Sequence, residues 1–100
     1  MIIVIGRAEV EPQAIAQLRP ALDAMMRATW DESGCLSYSM AVESESEGVI
    51  TVVERWADEA ALQAHFASPH MAAFKAAALG VILSMDVKLF DVTGERSLAL

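Results

Sequence analysis

The sequence has few of the residues that build disulfide-linked or metal-stabilised scaffolds. Cys35 is the only cysteine among 100 residues, which excludes an intramolecular disulfide. A single cysteine is compatible with a reducing cytoplasm. The two histidines, His65 and His70, are five positions apart, whereas two zinc ligands on one helix prefer a spacing of four. The sequence therefore favours neither a disulfide framework nor a metal centre.

Positive charge is also scarce. Seven basic side chains face fourteen acidic ones, which gives a formal net charge of −7. Such a chain offers no cationic face to attract phosphates, so we expect no nucleic-acid partner. Its acidic residues cluster at Glu43, Glu45, Glu47, Asp58 and Glu59, which we interpret as a solvated turn and a helix start.

Long apolar runs and phosphate-binding loops are missing as well. The apolar segment 1–5 is broken by Gly6 and Arg7, so it is too short for a signal-peptide core or a membrane span. No glycine-rich loop suggests a nucleotide or flavin site. We expect a cytoplasmic protein with no membrane partner and no cofactor.

The sequence is rich in apolar residues. Hydrophobic types make up 55% of the chain, and a chain of this length forms one modest core. We therefore predict a single domain over residues 1–100. Because a small domain has an unfavourable surface-to-volume ratio, part of its apolar surface is expected to be covered by a second copy.

The first half of the chain shows a strand pattern followed by a helix pattern. Alternation from Ile2 to Val10 predicts strand one. A helix is predicted after Pro12 from apolar positions at three- and four-residue steps: Ile15, Leu18, Leu22, Met25, Met26 and Thr29. Pro20 lies inside that pattern and costs a regular helix about 3 kcal/mol. It predicts a kink, or a helix that begins near Pro20.

A hairpin is predicted in the middle of the chain. A polar turn ending at Gly34 precedes strand two, residues 35–43, and a short acidic turn precedes strand three, residues 49–56. Period two places four side chains of strand two on one face: Leu36, Tyr38, Met40 and Val42. In the same way strand three presents Ile50, Val52, Glu54 and Trp56 together.

Helix two is predicted to be broken into two pieces. Asp58 is a good N-cap, and Ser68 followed by Pro69 suits a second cap with a first-turn proline. The first piece is expected to carry Leu62, His65 and Phe66 on its inner face, and the second piece carries the apolar residues Met71, Phe74, Ala78 and Leu79. Gly80 ends this helix, residues 81–92 form the last strand, and residues 93–100 form a C-terminal tail that could reach a partner.

The order β-α-β-β-α-β predicts a ferredoxin-like α+β fold, with both helices on one face of a four-stranded antiparallel sheet. The other face is predicted to be apolar and to lack cover within one chain. Two sheets pairing face to face into a dimeric α+β barrel would bury it. A ligand pocket is expected between the helices and the sheet of each subunit.

Three short motifs carry a family resemblance. They are Gly34-Cys35-Leu36-Ser37-Tyr38, Glu54-Arg55-Trp56, and a helix with Leu62, His65 and Ser68-Pro69-His70. In this order and spacing they resemble the antibiotic biosynthesis monooxygenase (ABM) family of dimeric α+β barrel proteins. The resemblance implies a homodimer and a pocket lined by the tryptophan. The haem-degrading branch of that superfamily uses an asparagine and a histidine where this chain has Gly6 and Phe74, so haem is not expected.

The resemblance implies a cofactor-independent monooxygenase that oxidises a small phenol or hydroquinone with dioxygen. In this hypothesis His65 is the base, and Trp56 and Tyr38 donate hydrogen bonds to the substrate oxygen. Glu54 orients His65, although Arg7 is an alternative partner for its carboxylate. Four residues are expected to shape the pocket: Phe66, Phe74, Leu62 and His70.

Two other functions remain open. The first is an isomerase or degrading enzyme for a small hydroxylated metabolite, similar to relatives that handle autoinducer-2, which needs acid-base groups but no oxygen. The second is a non-enzymatic dimeric stress or ligand-binding protein. In that case His65, Trp56 and Tyr38 are core residues whose polar atoms form hydrogen bonds within the protein and do not contact a substrate. Dependence of turnover on dioxygen separates the first alternative from the monooxygenase.

Overall fold

The computed structural model describes residues 1–100, and its four strands form one antiparallel sheet in the order β2-β3-β1-β4. The elements are β1 (Ile2–Val10), α1 (Ile15–Trp30), β2 (Cys35–Ser44), β3 (Val49–Trp56), α2 (Glu59–Phe66), α3 (Pro69–Ala78) and β4 (Ile82–Asp91). A 3-10 turn at Pro12–Ala14 precedes α1. This topology confirms the predicted ferredoxin-like α+β fold.

The core lies between the helices and one face of the sheet. Apart from Val49 at the start of β3, the buried apolar and charged residues of the strands follow the predicted period of two: Ile2, Val4 and Val10 of β1, Tyr38 and Met40 of β2, and Ile50, Glu54 and Trp56 of β3. On the helix side of the core, α1 contributes its apolar stripe of Ile15, Leu18, Leu22, Met25 and Thr29. Burial of this stripe and the strand face supplies the main stabilising free energy of a domain of this size.

Pro20 does not delay the start of α1. The helix runs without interruption from Ile15 to Trp30 and includes Pro20, so the expected start near the proline is wrong. Ile15 and Leu18 before the proline and Leu22 after it are all buried. Packing on both sides of Pro20 offsets the loss of one backbone hydrogen bond.

The start of β2 departs from the predicted alternation. A register irregularity between Cys35 and Ser37 interrupts the pairing with β3. As a result Leu36 is 48% exposed and does not share the buried face with Tyr38. The prediction for Leu36 is wrong because an extra residue at a β-bulge moves the side chains before it to the other face.

The break between α2 and α3 is confirmed, together with both caps. The Asp58 carboxylate accepts a hydrogen bond from the Ala61 backbone N–H, and the Ser68 hydroxyl accepts one from Met71. Pro69 is the first residue of α3. The break brings the rings of His65 and His70, which lie on different helices, to 5.8 Å between centroids.

Gly34 allows the start of β2 to approach α2 closely. Its φ of +83° lies in the left-handed region, and a Cβ at this position would lie 2.6 Å from the Ala61 Cβ. The Gly34 carbonyl accepts a hydrogen bond from the Ala57 N–H at 2.8 Å. Any side chain here would push α2 away from β2.

The outer face of the sheet is mixed and not uniformly apolar as predicted. Three apolar residues are exposed there, at 47% for Ile5, 41% for Val53 and 46% for Phe90. Between them lie ion pairs, such as Arg7 with Glu43 at 2.8 Å. The edge strand β4 is exposed along its whole length. None of the helices has the length and apolarity needed to cross a membrane.

Candidate active site

A cavity of about 600 Å³, hereafter the main cavity, lies between the helices and the inner face of the sheet. Twelve of its fifteen lining residues are hydrophobic, so a bound molecule would contact a mainly apolar wall. The ionisable groups in its wall are Tyr38, Glu54 and Lys75. This is the place where the sequence predicted a ligand pocket.

Glu54 is the most unusual ionisable group in the wall. The residue is only 7% exposed, and its Oε1 accepts a hydrogen bond from the Trp56 indole Nε1 at 2.9 Å. Burial raises the pKa of its carboxyl above the usual value, while the Trp56 hydrogen bond and nearby His65 partly oppose the rise. A carboxyl in this setting holds its proton more tightly than a solvent-exposed one and is a candidate for proton transfer.

Tyr38 stands next to Glu54 on the neighbouring strand, since the two residues are register partners of β2 and β3. Burial, and then the negative charge of Glu54, raises the pKa of the phenol. The hydroxyl therefore stays protonated and is available as a hydrogen-bond donor. The Tyr38 carbonyl accepts a hydrogen bond from the Trp30 Nε1 at 2.8 Å, which ties β2 to the end of α1.

His65 and Trp56 form a layer behind the cavity wall. Both are fully buried, and neither is among the residues that line the main cavity. Their ring centroids are 4.9 Å apart, and the His65 ring is 5.2 Å from that of Tyr38. The structure thus brings the three predicted residues together, with Tyr38 at the cavity and the other two behind it.

Glu32 orients His65, and the sequence analysis missed it. Its Oε2 lies 2.6 Å from Nδ1 of His65 and 2.8 Å from Nε2 of His70. The expectation that Glu54 orients His65 is not met, because Glu54 is hydrogen-bonded to Trp56. Arg7, the other expected partner of Glu54, pairs with Glu43 on the outer face.

This arrangement fixes the chemistry of the His65 ring. When Nδ1 carries the proton that is shared with Glu32, Nε2 is a lone-pair acceptor. Nε2 of His65 is buried and has no hydrogen-bond partner.

Glu32, His65 and His70 are also close enough to hold a metal ion. Sequence spacing concealed this group because Glu32 lies 33 residues before His65.

The predicted pocket residues divide into two groups. Phe66 and Phe74 line the main cavity, whereas Leu62 is buried behind it and His70 lines a small neighbouring pocket between α1 and α3. Four methionines also line the main cavity: Met25, Met40, Met71 and Met85. Flexible thioether side chains suit a wall that must adapt to its ligand.

Comparison with protein families identifies the same region. The model of the family "Antibiotic biosynthesis monooxygenase" matches residues 1–77, which include Tyr38, Glu54, Trp56, His65 and His70. All three motifs of the sequence analysis therefore lie within the matched segment.

Individual relatives agree with this family. Rv0793 of Mycobacterium tuberculosis, whose name suggests a monooxygenase, is 37% identical over 86 residues, covering 86% of this chain and 83% of that protein. YgiN of Escherichia coli K12, whose name suggests a quinol monooxygenase, is 32% identical over 60% of this chain and 65% of its own length.

Solved structures share the fold. The structure of Rv0793 superposes with a TM-score of 0.82 and 33% identity, covering 96% of this chain and 98% of that one. A crystal structure described as an antibiotic biosynthesis monooxygenase gives a TM-score of 0.84 at 27% identity, covering 94% of this chain and all of the other.

Proposed function

Because this chain belongs to the antibiotic biosynthesis monooxygenase family, we propose that it is a cofactor-independent monooxygenase that oxidises a small phenol or hydroquinone with dioxygen. The name of YgiN, which suggests a quinol as substrate, supports this substrate class. The observation that carries the proposal is Glu54, a buried carboxyl with a raised pKa in the wall of an apolar cavity.

The proposed reaction needs no external electron donor. A hydroquinone loses a proton to become an electron-rich anion that can pass electrons to dioxygen. One oxygen atom then bonds to a ring carbon, the other leaves as water, and the product is a hydroxyquinone. The substrate supplies all four electrons, so the protein must only remove a proton, stabilise the anion and exclude water.

The residues at the main cavity divide these tasks. Glu54 accepts the substrate proton and later returns it to the leaving oxygen. Tyr38, which stays protonated, donates a hydrogen bond to the substrate anion. Phe66 and Phe74 supply apolar wall, and dioxygen enters such a cavity readily because it is itself apolar.

Trp56 and His65 are positioning residues in this proposal, because they lie behind the wall. The Trp56 N–H holds one oxygen of Glu54, and this leaves the other oxygen for the substrate. His65 packs against the rings of Trp56 and Tyr38 and so holds both in place beside Glu54. The sequence-based role of His65 as the base is thus assigned to Glu54, and His65 acts through it.

Oxygen uptake tests the function. Purified protein in an oxygen electrode, with chelator present and no added flavin or metal, is expected to consume oxygen with some member of a hydroquinone panel. The rate should rise with pH as Glu54 loses its proton, with a midpoint above the ordinary value of 4.5. Isotope-labelled dioxygen should place one labelled atom in the product. Turnover without oxygen would instead favour the isomerase or degrading enzyme.

A C2 homodimer is part of the proposal. The exposed edge strand β4 and the exposed apolar residues of the outer face, among them Ile5, Val53 and Phe90, support pairing between two copies. Analytical ultracentrifugation is expected to give twice the mass of the 10.8 kDa chain. A Val53→Glu variant, which places a charge in the middle of this face, should sediment as a monomer. A wild-type monomer at micromolar concentration would refute the dimer.

A further inference from the structure

Three potential metal ligands converge on one point outside the main cavity. They are Nδ1 of His65 on α2, Nε2 of His70 on α3, and a carboxylate oxygen of Glu32 in the turn before β2. All three ligand atoms lie within 4.8 Å of one another. None of these residues lines the main cavity, so the cluster is distinct from the proposed substrate site.

The cluster is accessible from one side. The His65 side chain is fully buried, whereas 15% of the Glu32 side chain and 20% of the His70 side chain are exposed. An ion could therefore enter past Glu32 and His70 and keep a position open to solvent. The formal net charge of −7 favours the approach of any cation.

The ligand chemistry selects a class of metal. Two imidazole nitrogens with one carboxylate oxygen suit Zn²⁺ and neighbouring divalent transition metals, whereas Mg²⁺ and Ca²⁺ prefer oxygen ligands only. Two histidines and one glutamate with an open fourth position are a known zinc ligand set. Neutral imidazoles are required, because a protonated ring nitrogen has no lone pair to offer.

The observed distances are close to those that a metal requires. Ligand atoms about 2.0–2.2 Å from a tetrahedral zinc lie roughly 3.3 Å from one another. The nitrogen-to-oxygen distances of 2.6 and 2.8 Å are those of hydrogen bonds, so the ligands must separate slightly.

We propose that Glu32, His65 and His70 form a binding site for one divalent transition-metal ion of the zinc class. In the metal-bound form each neutral imidazole carries its proton on the other ring nitrogen, so that the nitrogen facing Glu32 offers its lone pair to the ion. The ion links the turn before β2 to both helices across the break at Ser68, and so stabilises the folded chain. This site goes beyond the proposed monooxygenase and is not required for it.

Zinc titration of the full-length protein tests the site. Isothermal titration of chelator-stripped protein with ZnCl₂ at pH 7.5 is expected to show one saturable site per chain, and zinc should raise the melting temperature. His70→Ala, which removes a partly exposed side chain, should weaken zinc binding by at least about tenfold. Glu32→Gln should also weaken zinc binding. Both variants leave the fully buried His65 unchanged.

Two variants serve as matched controls. Cys35→Ser removes the only thiol, and Glu43→Gln removes an exposed carboxylate on the outer face; both should keep the affinity of the wild type. No saturable binding, or equal affinity in His70→Ala, would show that the cluster is hydrogen-bonded only, and loss of binding in Cys35→Ser would show that the zinc is held by the thiol instead. Oxygen uptake in the presence of chelator is measured separately, so either proposal can fail without the other.

Discussion

Glu54→Gln is expected to lower kcat for oxygen uptake by about 10²- to 10⁴-fold, the usual contribution of a positioned general base. Glutamine has nearly the same shape, and its amide oxygen can still accept the hydrogen bond that the Trp56 indole donates to Glu54. The variant should therefore fold and bind substrate but be unable to take the proton. Steady-state oxygen-electrode kinetics on the best hydroquinone would measure the loss.

Glu43→Gln is the matched control for this experiment, because it makes the same chemical change at an exposed carboxylate on the outer face. Its kcat should equal that of the wild type. If Glu54→Gln keeps the wild-type rate while its circular dichroism is unchanged, the proton is removed by another group and the assigned role of Glu54 is wrong.

Unfolding measurements give an independent test of the raised pKa of Glu54. A carboxyl whose pKa is higher in the folded state binds its proton more tightly there than in the unfolded chain. Its contribution to stability is complete below the ordinary pKa of 4.5 and is lost as pH rises through the raised value. Glu54→Gln abolishes this loss, so its free energy of unfolding should fall less steeply than that of the wild type above pH 4.5.

Trp56→Ala is expected to give the largest loss of stability, about 3–5 kcal/mol. Trp56 is fully buried, and its ring packs against those of His65 and Tyr38. Alanine would leave a large hole at the end of β3 and would also leave Glu54 without its indole donor. Urea unfolding followed by circular dichroism would measure the difference in the free energy of unfolding.

Trp56→Phe is the matched variant, because it keeps most of the aromatic volume but removes the N–H. It should be destabilised less than Trp56→Ala, and its pH-rate midpoint should move upward, because the lost hydrogen bond is one that lowers the pKa of Glu54. An unchanged midpoint in a well-folded Trp56→Phe would show that the indole does not set the Glu54 pKa.

The sequence alone determined the features that depend on near neighbours along the chain. Strand alternation placed Tyr38, Glu54 and Trp56 on the buried face, and the caps at Asp58 and Ser68 marked where α2 and α3 begin. These predictions succeeded because side-chain period and helix capping are local properties. The short connections between the elements then left few possible topologies.

Only the tertiary structure decided which polar groups meet. Glu32 reaches His65 and His70 across 33 and 38 positions of sequence, and Glu54 bonds to Trp56 instead of His65. Whether a side chain faces the cavity or lies behind it depends on how the helices sit over the sheet and on irregularities such as the bulge beside Leu36. Such contacts are set by packing between distant segments, and no spacing along the chain encodes them.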